Sequence, residues 1–156
     1  MQHLSYIHLY NSGVAYQPGS TSLYHNGSSS GSYGGASSGD IIGIAMDLDN
    51  GFIYWSKNGT FLNSGDPTSG STGTGGYALS NIANASGLTN AYAMGVSLAN
   101  TGGSRSISAN FGNGFFGTTA ISSEGTNASG IGKFEYDVPN GNGNTYTALS
   151  TKGLNE

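Results

Sequence analysis

The chain has 156 residues, of which 28 are glycine, only 8% are charged and none is cysteine, and its formal net charge is −4. One domain's worth of chain is enough to enclose a core, while the lack of cysteine excludes disulfides, thiolate metal sites and cysteine nucleophiles. The four basic residues, Lys57, Arg105, Lys133 and Lys152, are scattered and make no cationic cluster of the kind that nucleic acid or an anionic membrane requires.

Apolar residues form short clusters between Ser, Asn, Thr and Gly runs, the pattern of many strands joined by long loops. No stretch repeats at helical spacing over more than a turn or two, and none approaches the roughly 20 apolar residues of a membrane-spanning helix. The opening Met1-Gln2-His3-Leu4 lacks the basic-then-apolar layout of a signal peptide. Residues 4–10 predict a first strand and residues 22–25 a second, followed by a glycine/serine loop over 26–39. Residues 41–48 predict the best-defined strand: Ile42, Ile44, Met46 and Leu48 alternate with Gly43, Ala45 and Asp47. It ends in Asp49-Asn50-Gly51, a hairpin signal because Asn and Gly tolerate positive φ. The chain returns over 52–57, turns at Asn58-Gly59 and resumes over 60–62. A polar stretch, 63–76, precedes further strands over 77–79, 91–98, 106–111 and 146–149, with an irregular region over 112–144. Strands at this spacing predict a single all-β domain, an antiparallel β-sandwich of jelly-roll type with long Gly/Ser/Asn loops.

The chemistry of the residues points away from catalysis. A glycosidase needs two carboxylates facing each other across a cleft; Asp47 and Asp49 adjoin a hairpin turn, where Asp and Asn serve the turn itself. Asn58 stands where an EF-hand requires a bidentate glutamate, so the Asp47-Leu48-Asp49-Asn50-Gly51 string predicts no such calcium loop. His3, His8 and His25 lack the spacing of a helical zinc pair, and no nucleophile elbow is present. No metal, cofactor or catalytic residue is expected. Tyrosine is a different matter. Ten are present, and Tyr16, Tyr24 and Tyr33 sit among Ser, Gly and Asn, a composition suited to adaptable recognition. The plainer reading is that they stitch loops to the sheets. Trp55, on the second arm of the central hairpin, is expected in the core or at an interface.

The run from Gly39-Asp40-Ile41 through Asp47-Leu48-Asp49-Asn50-Gly51 and Tyr54-Trp55-Ser56-Lys57-Asn58-Gly59 resembles the centre of the SPRY family. There a Gly-Asp start, an apolar strand with an acidic end, a glycine turn, an aromatic strand and Lys-Asn-Gly follow one another. Asn110-Phe111-Gly112 is similar to the Asn-Phe-Gly that closes a late core strand in that family, and residues 146–155 resemble the tails of SPRY-like modules in phage virion proteins. The resemblance implies a concanavalin-like β-sandwich in which Asp47, Asp49, Asn50, Gly51, Trp55, Lys57, Asn58 and Gly59 are structural. It also implies a non-catalytic virion module, in a capsid decoration, tail fibre or appendage, engaging a host surface glycan or neighbouring virion subunits, with Tyr16, Tyr24 and Tyr33 as candidate ligand-binding residues. The alternatives are a SPRY-type module that binds peptides in a cellular protein and, further off, a glycan-active jelly-roll enzyme. The family's opening strands should precede Gly39, and residues 1–38 do not match them. The expectation is therefore a sandwich completed from outside, by upstream chain or by other subunits of an oligomer.

Overall fold

The computed structural model describes residues 4–5, 14–25, 27–79, 95, 97–98, 107–125 and 132–136. In chain order the strands are β1 (Leu4–Ser5), β2 (Val14–Gln17), β3 (Ser22–His25), β4 (Ser28–Ser32), β5 (Ile42–Asp47), β6 (Phe52–Lys57), β7 (Thr60–Phe61), β8 (Tyr77–Ala78), β9 (Ser97–Leu98), β10 (Phe115–Phe116), β11 (Thr119–Ala120), β12 (Glu124–Gly125) and β13 (Phe134–Glu135). The fold is all-β: among the described residues, 3-10 turns are the only helical elements, and the strands pair as antiparallel sheets, as the predicted sandwich class requires. No helix among the described residues is long and apolar enough to cross a membrane. The chain divides into two compact units, Met1–Asp40 with Ala78–Arg105 and Ile41–Tyr77 with Ser106–Glu156.

The first unit contains the β1–β9 pair and a three-stranded sheet in the order β2-β3-β4. β3 lies where its apolar Leu23 and Tyr24 predict a strand, and Leu23 is fully buried. β2 and β4 were not expected. Val14–Gln17 offers one ordinary alternation, too short to stand out, and Ser28–Ser32 falls inside the predicted 26–39 loop. Ser and Gly have little intrinsic strand preference, but the backbone of β4 is captured by the ladder of β3, and context outweighs propensity in sheets. A register shift opposite Leu23 and Tyr24 leaves one extra residue, Ser30, on the β4 side.

The second unit is built on β5, β6 and β7, with β8 also pairing with β6. Ile42 lies opposite Lys57 and Asp47 opposite Phe52, so the central hairpin has the register its sequence predicts. The Asp47 carboxylate shapes its turn, accepting the Asn50 N–H at 3.0 Å and the Asn50 Nδ2–H at 2.8 Å, while the Gly51 N–H donates to the Asp47 carbonyl. Gly51 has φ 77°, which glycine adopts without a Cβ penalty. The next turn places Asn58 and Gly59 at φ 49° and 80°, the two successive positive values of a type I′ hairpin. Asn58 also exchanges two hydrogen bonds with Ile41, donating its N–H to the carbonyl and accepting the Ile41 N–H on Oδ1 at 2.8 Å.

Residues 62–76 fold over one face of this sheet. A Cβ on Gly76 would stand 2.6 Å from Tyr54 Cε1, and one on Gly65 would stand 3.3 Å from Tyr54 Cδ1. Side chains there would keep the loop off the ring, so its small residues are what allow it to close. β6 is consequently buried on both faces: Ile53, Tyr54 and Trp55 are at most 8% exposed. Burying each such side chain contributes about 1.5–3 kcal/mol. On β5 the small-residue face, Ala45 and Asp47, is the more deeply buried, and Ile42, Ile44 and Met46 are half-buried.

Two sequence expectations are corrected in the same unit. Residues 107–110, predicted as part of a strand over 106–111, have no regular structure. Asn110 spends its side chain on the backbone instead, accepting the Gly112 N–H at 2.7 Å and donating to the Lys133 carbonyl at 3.1 Å, a local alternative to a sheet ladder. The region expected to be irregular, 112–144, contains the hairpin β10–β11 and the pair β12–β13. The predicted strand over 146–149, most of that over 91–98, and His3 and His8 lie outside the described residues.

Candidate functional site

The β2-β3-β4 sheet carries the three candidate tyrosines. Tyr16 on β2 is opposite Leu23, and Ala15 is opposite Tyr24. Directly opposed residues share a face and neighbours alternate, so Tyr16 and Tyr24 point to opposite sides of the sheet. Tyr33 follows β4. Its ring lies 3.4 Å from the position a Gly31 Cβ would take, and Gly31 is opposite Leu23, which puts Tyr33 on the Tyr16 side. The structure thus brings Tyr16 and Tyr33 together and separates both from Tyr24.

Tyr16 and Tyr33 anchor the segment after β4. The Tyr16 hydroxyl donates to the Gly34 carbonyl at 2.7 Å, the Tyr33 N–H donates to the Thr21 carbonyl at 2.7 Å, and the Ala36 N–H reaches the Pro18 carbonyl at 3.4 Å. Tyr33 is 8% exposed. Burial, and secondarily the negative charge of Asp40, raises the pKa of the Tyr16 phenol above its ordinary value. Asp40 itself accepts the Ser37 N–H at 2.8 Å. These contacts are those of rings that hold a loop. Tyr24 is half-buried on the other face. Beside this framework β4 is wholly exposed from Ser28 to Ser32 and carries only serine and glycine side chains.

Acidic residues elsewhere are engaged in holding turns. Asp47 grips Asn50, as above. Asp66 accepts both the N–H and the hydroxyl of Thr68, at 2.9 and 2.6 Å, which holds its carboxyl below the usual range. Asp49 lies exposed on the hairpin turn. Trp55 is buried opposite Ile44, and Lys57 is half-buried at the end of β6. The phenol of Tyr54 is raised in pKa chiefly by burial, and the Ser69 side chain beside it acts in the opposite direction. No group of three or more His, Asp or Glu side chains among the described residues is placed to hold a metal ion.

A further cluster gave no signal in the sequence. Glu124 and Glu135 are directly opposed on β12 and β13, an arrangement that repels unless each charge is otherwise compensated. Glu124 faces Lys133 at 3.0 Å on the surface. Glu135, 7% exposed, accepts the Ser122 N–H at 2.7 Å, the Ser122 hydroxyl at 2.6 Å and the Ser123 N–H at 3.0 Å. The Ser122 hydroxyl and the two amides hold its carboxyl below the ordinary value. The next residue, Tyr136, has φ 81°, and its ring lies against Gly59, where a Cβ would stand 2.9 Å from it. A bulky residue at such φ carries about 1–3 kcal/mol of strain, and here its N–H bond to the Ser123 carbonyl at 2.9 Å helps hold it. The hydrogen-bond partners of Glu135 and Tyr136 lie 12 or 13 residues away in sequence, and Gly59 lies much farther, so only the folded chain brings them together.

No family model, no curated protein and no solved structure matches this chain.

Proposed function

We propose that this chain is a non-catalytic, SPRY-like binding and assembly module of a virion, a part of a capsid decoration, tail fibre or appendage that engages neighbouring subunits or a host surface glycan. The observation that carries the reading is the use to which the carboxylates are put. Asp40, Asp47, Asp66 and Glu135 each accept hydrogen bonds from backbone or side-chain donors a few residues away or across a short hairpin, and Glu124 is paired with Lys133. A hydrolytic pair needs one carboxyl raised in pKa and a second facing it across a substrate-sized gap. Asp66 and Glu135 are instead held below their ordinary values, as carboxylates that organise backbone are.

The scarcity of charge, 8% of residues, supports the same reading. Serine hydroxyls, amides and half-buried rings recognise sugars or backbone through hydrogen bonds and stacking, with no need of ions. The central motif, Asp47, Asn50, Gly51, Asn58 and Gly59, supplies two tight turns, and turns of this kind leave the rest of the loop surface free to vary. The test is exposure of the purified chain to bacterial envelope polysaccharides, scoring retention and new reducing ends on the same samples. Retention without cleavage is expected. Cleavage that disappears in Asp66→Asn or Glu135→Gln, with folding intact, would overturn the reading.

A further inference from the structure

The edge strand β4 is open in a way that natural sheets normally avoid. Among the described residues it is the outermost strand of the β2-β3-β4 order, and all of Ser28–Ser32 is exposed. An edge strand presents backbone N–H and C=O groups to any strand that approaches, and proteins usually blunt it with Lys, Pro or an inward charge. None of these is present here: the first Asp, Glu, Lys or Arg of the chain is Asp40. Among the described residues the register shift at Ser30 is the one blunting feature, and it shortens the usable edge.

We propose that this edge pairs with the β4 edge of a second copy of the chain, antiparallel and about a two-fold axis near Ser30. Three observations select a second copy over an unrelated partner. Every hydroxyl on the strand both donates and accepts, so an identical strand satisfies it, whereas a charged partner would find no counter-charge. Residues 1–39 carry no charged side chain, so two molecules of net charge −4 meet there with no repelling groups at the seam. Side chains no larger than serine allow the two backbones to approach to ladder distance. The contact is a short one, well below the roughly 1,000 Å² of a stable dimer, so free copies form it transiently and a covalent bond across it traps the pair. The proposal narrows the assembly reading above to one contact.

The absence of cysteine from the chain makes the test specific. Directly opposed residues of an antiparallel pair have Cα atoms about 4.5–5.5 Å apart, within disulfide reach. Full-length Ser30→Cys protein is oxidised with glutathione disulfide, alongside Ser71→Cys, an exposed control on the other unit. Pairing raises the local thiol concentration, so the Ser30→Cys dimer should form on the order of tenfold faster than the control. Adding Ser29→Lys to Ser30→Cys sets like charges along the seam and should return the rate to the control level. Equal rates for the two single variants would overturn the proposal, and so would a fast rate that Ser29→Lys leaves unchanged. Neither result bears on polysaccharide retention, so failure here is distinguishable from failure of the broader reading.

Discussion

The folding of the 62–76 loop on itself can be tested with two of its glycines that differ in one respect. Gly70 and Gly75 both have positive φ, 57° and 65°. A Cβ on Gly70 would meet nothing within 4 Å, whereas one on Gly75 would meet the Asn63 carbonyl oxygen and stand 2.6 Å from Gly65 Cα and 2.7 Å from Gly65 N. Alanine at either position adds left-handed strain of about 1–2 kcal/mol, partly offset by about 0.4–1 kcal/mol from a less flexible unfolded chain. Gly70→Ala should therefore cost roughly 0–1.5 kcal/mol by the difference of those two effects. Gly75→Ala adds overpacking against backbone, which cannot rotate away as a side chain can, for a further 1–3 kcal/mol or so. At about 2–4 °C per kcal/mol for a chain of this size, Gly75→Ala should melt several degrees below Gly70→Ala. Urea midpoints measured in parallel would confirm the order. Equal losses in the two variants would refute the close approach of Gly75 to residues 63 and 65 that shapes the loop.

Other outcomes follow from single contacts. Gly51→Val should cost more than about 1 kcal/mol in urea denaturation, since a β-branched residue resists the positive φ of the hairpin turn; a midpoint equal to the parent's would contradict that turn. Glu135 has its folded-state pKa below the unfolded value, so its contribution is fully present above the unfolded pKa and is lost as pH falls through the folded pKa. Glu135→Gln should flatten the acid limb of the stability–pH curve, and an unchanged limb would show that the Ser122–Ser123 contacts carry no weight. Tyr16→Phe removes the bond to the Gly34 carbonyl and should cost about 0.5–1.5 kcal/mol, read by thermal melting. Tyr24→Ala is the variant to compare with the parent for glycan retention, because Tyr24 is half-buried on the face of the sheet opposite Tyr16 and Tyr33; full retention would remove Tyr24 from the recognition surface.

The parts of this fold that can be read from the residues are those set by local rules. β6 and its two turns follow from an alternating apolar strand, Asp49-Asn50-Gly51 and Asn58-Gly59, because turn chemistry and register are decided within a few residues. β4 was not legible, since Ser-Ser-Ser-Gly-Ser has no strand preference and is paired only because β3 lies beside it. The carboxylate of Glu135 and the strained Tyr136 depend on contacts with Ser122, Ser123 and Gly59, which no spacing announces. Among the candidate residues, the turn roles of Asp47, Asn50 and Asn58 were legible for the same local reason. The separation of Tyr24 from Tyr16 and Tyr33 was not. It follows from strand pairing in a region whose Ser/Gly composition is that of a loop.

The central claim, that the chain works by binding within a virion, is tested most directly by locating it. Antibody labelling and high-resolution imaging of intact particles from the source should place the chain at the particle surface in a fixed, repeated copy number. Recovery of the chain wholly apart from particles, as a free protein that turns over polysaccharide, would contradict the account.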